Sequence, residues 1–299
     1  MNSHATKLDR RALAALVTGA VLIGLSPIFV RLADVGYTAC AFWRVFLALP
    51  VLTLLMARET QRSPLQPGTG WLMLAGAFFA GDLAVWHQSL RLTSVANATL
   101  MTNLAPVFVT LASFALFGER FRAAFLAGIV LAVGGAAVLV SNSLKLGGEN
   151  ALGDLLGVGS AVFYSGYIVV VARARQRFSA AQVMFWSSLT AAAVLLPLTG
   201  LMGETLWPQT ARGWAVLIGL ALLSHVGGQG LIAWAMAQLR AAFSAVGLLV
   251  QPVAAAIFAW LLLAEPFGAR QALGGVIVLA GIITCRLAMS TRKEGSESP

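Results

Sequence analysis

Several side chains that could bind a small molecule interrupt long apolar stretches of this sequence. The run Gly81–Ser89 contains an aspartate and a histidine, and the run Asn97–Asn103 contains two asparagines and two threonines. Polar groups inside apolar stretches are costly to bury, so each marks a candidate functional position. The ten candidates for binding a substrate are Asp82, Trp86, His87, Asn97, Met101, Tyr164, Tyr167, His225, Gln229 and Gln251. Their amides, hydroxyls and aromatic rings suit reversible binding.

These side chains do not form a catalytic or metal-binding pattern. The sequence lacks the His-Glu-x-x-His motif of metalloproteases, the Gly-x-Ser-x-Gly turn of serine hydrolases and the glycine-rich phosphate loop. Its three histidines are scattered, and its two cysteines, Cys40 and Cys285, stand in apolar stretches. We therefore expect no enzyme activity, no metal site and no cofactor.

The composition places the candidate residues in a lipid bilayer. The 299 residues are 59% hydrophobic and 10% charged, and the mean hydropathy is +0.85. A soluble protein carries roughly 25% charged residues to cover its surface. A net charge of +9 would suggest nucleic acid as the partner of a soluble protein, but here the basic residues lie between apolar runs and set orientation. The expected partners are the bilayer and a small molecule, not nucleic acid.

Ten apolar stretches are long enough to cross a bilayer, which predicts an all-α integral membrane protein with ten transmembrane helices. They lie near residues 12–33, 36–57, 70–91, 95–117, 122–141, 152–172, 180–200, 212–236, 242–263 and 268–288. If the chain alternates sides, fourteen of the 20 basic residues fall on one side and five on the other. The positive-inside rule then places both tails, 1–11 and 289–299, in the cytoplasm of a bacterial cell, with the helices in its inner membrane.

An internal repeat appears when the chain is shifted by 146 residues. The shift aligns Pro106 with Pro252 and Glu119 with Glu265, and it aligns two glycines of each half. The two copies, each with five predicted helices, are residues 12–141 and 152–288. Because five is odd, the copies enter the membrane from opposite sides and form inverted-topology repeats, an arrangement associated with alternating access.

The order of motifs is the same in both halves. In the first half, Asn103–Pro106 precedes Phe117–Arg120 and a glycine-spaced helix, and the second half keeps Pro252, Glu265 and the glycines. This pattern resembles the EamA units of the drug/metabolite transporter superfamily over nearly the whole chain. Within the superfamily the chain is most similar to YddG-type exporters. The resemblance implies the export of amino acids, including aromatic ones.

Two prolines and two glutamates have expected structural roles. Pro106 and Pro252 each remove a helical hydrogen bond, so we expect a kink that exposes a carbonyl to a cavity or a hinge. Glu119 and Glu265 stand at predicted helix ends. We expect each to hold a loop by accepting backbone N–H bonds or by pairing with an arginine.

Arg44 and Asp82 leave two mechanisms open. Arg44, inside the second predicted helix, matches an arginine common in EamA units and is expected either to snorkel or to pair with Asp82. In this part of the chain a shift of 143 residues aligns Phe42–Trp43 with Phe185–Trp186, and it places Ser187 opposite Arg44. If Asp82 is unpaired, Asp82 and His87 could exchange protons during transport. If Asp82 is paired, it stays ionised, and the protein is a facilitator.

The sequence therefore predicts an inner-membrane secondary transporter that exports small amphipathic metabolites, amino acids first among them. Its central cavity is expected between the third, fourth, eighth and ninth helices, flanked by the first and sixth. The amides of Asn97 and Gln229 are expected to hold a carboxylate, and carbonyls freed at Pro106 or Pro252 to hold an ammonium group.

Three alternatives give different expectations. A nucleotide-sugar carrier, or a carrier of another metabolite or drug, would share the fold, but a nucleotide sugar needs basic residues in the cavity, and only Arg44 is present. A receptor or scaffold needs neither the repeat nor polar residues at membrane depth, and a membrane-embedded enzyme needs a clustered nucleophile and base. The expected oligomeric state is a monomer or a weak homodimer.

Overall fold

A computed structural model describes residues 2–59, 66–93, 95–141, 151–263 and 268–294. Within these ranges the regular structure is helical and no strand is present, so the all-α prediction is confirmed there. Glu265 lies outside the described residues, and so does the side chain of Asn97.

Nine helical segments in the described ranges are long and apolar enough to cross a membrane, and a further segment, Ala123–Leu139, is apolar but shorter. The chain is therefore a multi-pass membrane protein. We number these segments helix 1 to helix 10 in chain order. Their bounds are Arg10–Leu32, Tyr37–Glu59, Thr69–Leu92, Ala98–Phe117, Ala123–Leu139, Ala151–Ala174, Ala180–Leu201, Ala211–Ala235, Ala241–Leu262 and Ala269–Met289. Helical backbone extends back to Asn2, back to Val95 and on to Glu294.

Helices 1, 2, 4 and 9 are each interrupted just before a proline. A proline has no N–H to donate, and its ring clashes with the preceding turn, so helical hydrogen bonds are lost there. The interruptions at residues 24–25, 47–48, 103–104 and 248–249 precede Pro27, Pro50, Pro106 and Pro252. Each of these four helices thus consists of two pieces joined by a turn.

Helix 8 contains a wider turn, the π-helical segment Leu220–Gln229. Its backbone bonds join residues five apart instead of four, a geometry that is rare and frequent at functional sites. The segment carries His225 and Gln229. The wider turn therefore sets the directions in which two of the candidate side chains point.

Helices 5 and 10 pack closely through glycines. A Cβ added at Gly281 would lie 2.5 Å from the backbone nitrogen of Ala132 and 2.7 Å from the carbonyl oxygen of Gly128. A Cβ at Gly135 would lie 3.0 Å from the carbonyl oxygen of Gly274. Small residues allow such close approach between membrane helices, where van der Waals packing drives association. The glycine faces therefore contact each other within one chain.

The packing of the helices follows one pattern in both halves. Helix 1 packs against helices 8 and 9, and helix 6 packs against helices 3 and 4. Helix 2 contacts helices 7 and 8, and helix 7 contacts helices 2 and 3. Every one of these contacts is retained when each helix is exchanged for the helix five places along the chain.

Polar contacts join the two halves at the end of the bundle where helix 2 begins. The Glu204 carboxylate accepts N–H bonds from Thr38 (2.6 Å) and Ala39 (3.1 Å). A carboxylate at a helix N-terminus satisfies N–H groups that have no helical partner. At the same end, Asp34 accepts a 2.8 Å hydrogen bond from the Thr210 hydroxyl, and this bond is the main reason that the pKa of Asp34 is lowered.

An ion pair joins the halves at the opposite end. Arg240, just before helix 9, lies 2.8 Å from a carboxylate oxygen of Glu119, just after helix 4. Arg175, after helix 6, donates a 2.8 Å hydrogen bond to the carbonyl of Ala233 in helix 8. Loops of both halves are therefore fixed to each other at this end as well.

We expect Gly281→Ala to destabilise the protein, because the added methyl group meets backbone atoms of helix 5 and not a flexible side chain. Such overpacking costs about 1–3 kcal/mol. The apparent melting temperature of the purified protein in detergent should fall measurably. Gly134→Ala is the matched control, since a Cβ there meets nothing within 4 Å. Equal melting temperatures for the two variants would contradict the packing described here.

Candidate substrate-binding cavity

A cavity of about 80 Å³ lies between helices 1, 2, 3, 4, 6, 8 and 9. Its walls are formed by Ile23, Gly24, Ser26, Pro27, Arg44, Phe79, Asp82, Leu83, Trp86, Thr99, Thr102, Asn103, Tyr164, Gln229, Gln251, Pro252 and Ala255. This is the space open to the centres of water molecules, so the gap between the atoms of the walls is larger than this volume. The six helices that we expected to surround a cavity all contribute, and helix 2 adds Arg44.

The interrupted helices shape this cavity. The turns of helices 1 and 4 contribute Gly24 and Asn103, and helix 9 contributes Pro252 and its neighbour Gln251. Irregular backbone at membrane depth is tolerated where it lines a cavity, since water or a ligand can satisfy the freed groups. The prolines therefore place polar backbone at the cavity wall.

Five of the ten candidate binding residues line the cavity. These five are Asp82, Trp86, Tyr164, Gln229 and Gln251. Met101 instead packs against Gly157 of helix 6, and Tyr167 is buried with its ring 4.8 Å from that of Phe79. Of the residues with expected structural roles, Arg44 and Pro252 line the cavity, whereas Pro106 and Glu119 do not.

The two histidines of the bundle are buried behind the cavity wall. Nδ1 of His87 lies 2.6 Å from the carbonyl oxygen of Leu83, one turn earlier in helix 3. Nε2 of His225 lies 2.8 Å from the hydroxyl of Ser188 in helix 7. Both side chains are fully buried. Each histidine therefore uses one ring nitrogen in a contact within the protein, and neither histidine lines the cavity.

Asp82 is held at the cavity wall by a chain of hydroxyl groups. Ser160 of helix 6 donates a 2.6 Å hydrogen bond to Oδ1 of Asp82, and Thr102 of helix 4 donates a 3.1 Å bond to Ser160. Asp82 and Arg44 are more than 4.0 Å apart and form no ion pair in the described structure. The expected alternative in which Arg44 is the direct partner of Asp82 is therefore not found.

Arg44 is almost completely buried, with 4% of its surface exposed. Its guanidinium carbon lies 5.7 Å from the centre of the Phe79 ring, and Phe79 also stacks on His225 at 5.4 Å. Within the described part of the chain its Nε has no hydrogen-bond partner. The side chain therefore neither snorkels to the surface nor pairs, and it faces the cavity.

Side-chain amides add further donors at the wall. The Nε2 atoms of Gln229 and Gln251 and the Nδ2 atom of Asn103 are buried without a hydrogen-bond partner among the described residues. Tyr164 lines the same cavity. Buried polar groups are nearly always satisfied, so a concentration of unsatisfied donors at one cavity indicates a site for a ligand or water.

Some lining residues were not among the candidates. Thr99, Thr102 and Asn103 share one side of helix 4, and their polarity inside an apolar stretch was the available signal. Ser26 stands beside Pro27 in helix 1, and that proline was the signal there. Phe79 carried no signal in the sequence, because a phenylalanine in an apolar helix cannot be distinguished from other core residues.

The cavity extends toward the end of the bundle where helix 1 ends and helix 4 begins. Pro27 and Trp86 lie in the later parts of helices 1 and 3, and Thr99 lies near the start of helix 4. At the other end of the bundle the helices are tightly packed around fully buried apolar side chains. These include Leu16, Val171, Ile232 and Val246. The lining residues of helices 1, 2, 3 and 4 therefore lie nearer the first end, and the ion pair between Arg240 and Glu119 lies at the other.

Residues 10–141 and again residues 151–286 match the sequence profile of the EamA-like transporter family. The chain belongs to this family. The chain is 26% identical to the pseudopaline exporter CntI of Pseudomonas aeruginosa, over 82% of this chain and 83% of that protein. It is 29% identical to a probable terminal-alkyne amino-acid exporter of Streptantibioticus cattleyicolor, over 67% of each chain.

The fold of this family member also matches a crystal structure. The superposition has a TM-score of 0.77 and covers 92% of this chain and 97% of the other, with 22% sequence identity. At this identity the likeness shows a shared fold. The family match identifies the chain as a member of a transporter family, and the structural match shows a shared fold.

We expect a cysteine in place of Ala255 to react with a charged thiol reagent, because Ala255 lines the cavity. Ile257→Cys is the control, since Ile257 is 39% exposed on the outer, lipid-facing surface, where a charged reagent does not dissolve. The native cysteines are buried and give a low background. Mass spectrometry after timed labelling measures both rates. Equal rates at the two positions would contradict a water-filled cavity at Ala255.

Proposed function

We propose that this EamA family member is a secondary transporter that exports small amphipathic metabolites, above all amino acids including aromatic ones, across the bacterial inner membrane. The observation that carries the proposal is the cavity itself, which combines unsatisfied donors with aromatic rings. A pocket with an apolar body and a few convergent polar groups is the usual form of a small-molecule site.

The wall suits a molecule with a polar head and an apolar side chain. Phe79, Leu83 and Trp86 supply apolar and aromatic surface on helix 3, while Asn103 and Gln251 supply amides from helices 4 and 9. An amino acid with a hydrophobic side chain has a polar head and an apolar part of this kind. That two similar proteins are named exporters, one of them of an amino acid, supports the same class of activity.

We propose further that ten helices cross the membrane as two inverted repeats, residues 12–141 and 152–288, with both termini in the cytoplasm. The exchange symmetry of the helix contacts and the two separate family matches support the repeat. In this topology the end with Glu119 and Arg240 faces the cytoplasm, and the lining residues lie nearer the outer end, which we take as a state open to the outside. The protein would then alternate between this state and one open to the cytoplasm.

Purified protein in liposomes should show saturable transport of hydrophobic and aromatic amino acids. The measurement is uptake or counterflow of labelled phenylalanine, leucine and tryptophan, with empty liposomes as the control. A nucleotide sugar should not be transported, since Arg44 is the only cationic side chain among the described lining residues and cannot balance a diphosphate. Transport of nucleotide sugars without transport of any amino acid would refute the proposal.

We propose that Asp82 exchanges a proton during the cycle, because it faces the cavity and lacks a direct cationic partner. An imposed pH gradient should therefore drive uphill movement of the substrate. Asp82→Asn should lose this drive, since an amide cannot release a proton, yet keep downhill exchange at saturating substrate. Asp34→Asn, a carboxylate outside the cavity, is the control and should keep the drive. Two results together would contradict the proposal and favour a facilitator. Wild-type transport would be independent of the pH gradient, and Asp82→Asn would fold only when Arg44 is also replaced.

A further inference from the structure

Arg44 is buried at membrane depth, and the Nε–H of its guanidinium has no hydrogen-bond partner among the described residues. Its five N–H donors form a rigid fork that matches a carboxylate with two parallel hydrogen bonds. A buried charge is stable only when it is paired or hydrogen-bonded. Arg44 lines the cavity, so its partner must bind there, and that partner is a hydrogen-bond acceptor that carries negative charge.

Asp82 offers the opposite charge to the same cavity. Its Oδ1 atom accepts the bond from Ser160, and no other hydrogen bond of the carboxylate is present in the described structure. Together, Arg44 and Asp82 are the charged side chains among the described lining residues, and they are too far apart for direct pairing. The cavity thus holds one positive and one negative group, each with free hydrogen-bonding capacity.

We propose that Arg44 binds the carboxylate and Asp82 the ammonium group of a zwitterionic substrate. This assignment rests on the proposed function and names the substrate class of the same cavity. A zwitterion satisfies both side chains at once and leaves the cavity neutral. A simple amine leaves the guanidinium unpaired, and a simple acid leaves the carboxylate unpaired, which is costly in a medium of low polarity.

Phe79 fixes the position of Arg44 relative to Asp82, and we call these two charged side chains the clamp. The Phe79 ring lies beneath the Arg44 guanidinium, and Asp82 follows three residues later on the same helix, so the two ends of the clamp are fixed relative to each other. Trp86 lies a further turn along helix 3. The apolar side chain of the substrate would then extend along helix 3 toward Trp86.

The experiment compares ligands that carry both charges or only one. Binding to wild-type protein in detergent, and transport in liposomes, are measured for phenylalanine, phenethylamine and 3-phenylpropionate, and for leucine with its corresponding amine and acid. Wild-type protein should prefer each amino acid to both analogues. Arg44→Gln should weaken binding of the amino acid by about tenfold or more while changing binding of the amine by less than about threefold.

Asp82→Asn should give the reciprocal result, with weaker binding of the amino acid and little change for the acid. Arg173→Gln is the matched control, because Arg173 also lies over a ring, that of Phe117 at 5.2 Å, but does not line the cavity. Arg44→Lys, which keeps the charge without the fork, should recover part of the preference. Melting temperatures identify variants that fail to fold. If Arg44→Gln fails to fold, Arg44→Lys is compared with wild-type protein in its place, and its preference for the amino acid should be weaker than that of wild type.

Three results would overturn the assignment. If Arg44→Gln weakens all ligands equally, Arg44 supports the fold and does not select a carboxylate. If amino acids are transported and the selectivity of Arg44→Gln and Asp82→Asn is unchanged, the assignment is wrong and the proposed function stands. If wild-type protein binds and transports none of the six compounds, both the assignment and the amino-acid class are wrong.

Discussion

The interior of a bilayer offers no hydrogen-bond partner to a polar group, and the rest of this structure depends on that constraint. The backbone meets it by forming helices. Many buried polar side chains meet it inside the protein: one ring nitrogen of His87 contacts the carbonyl of Leu83, and one ring nitrogen of His225 contacts the hydroxyl of Ser188. Five side chains that keep a buried polar atom without a partner among the described residues line one cavity, and these are Ser26, Arg44, Asn103, Gln229 and Gln251. These unpartnered polar atoms therefore mark the place where a substrate can supply hydrogen-bond partners that the lipid lacks.

The same constraint explains where the backbone is irregular. Pro27, Pro106 and Pro252 interrupt helices that surround the cavity, and the π-helical segment Leu220–Gln229 ends at a residue of its wall. Helix 7 contains Pro197 yet runs without interruption, and it does not line the cavity. Freed carbonyl and N–H groups are thus found next to a polar space, and the helices that contain them have points about which they can bend.

The sequence predicted much of this arrangement because polar residues are conspicuous in apolar stretches. Asp82, Gln229 and Gln251 stand out by polarity alone, and each lines the cavity. Polarity does not reveal which direction a side chain faces, so His87 and His225 could not be distinguished from them. Their partners, a carbonyl one turn away and a serine on another helix, depend on packing. Apolar wall residues carry no signal in sequence, and the separation of Arg44 from Asp82 follows from how helices 2 and 3 meet.

The two halves share their scaffold and differ in their chemistry. Glycines at equivalent positions pack helix 5 against helix 10, and prolines at equivalent positions interrupt helices 4 and 9. The charges do not repeat: a shift of 143 residues, which aligns Trp71 with Trp214, places Ser187 opposite Arg44 and His225 opposite Asp82. A cavity with both charges in one half would give a polar substrate a single preferred orientation. Under the proposed function, the repeat supplies two halves that can bend, and the departures from the repeat select the molecule that they hold.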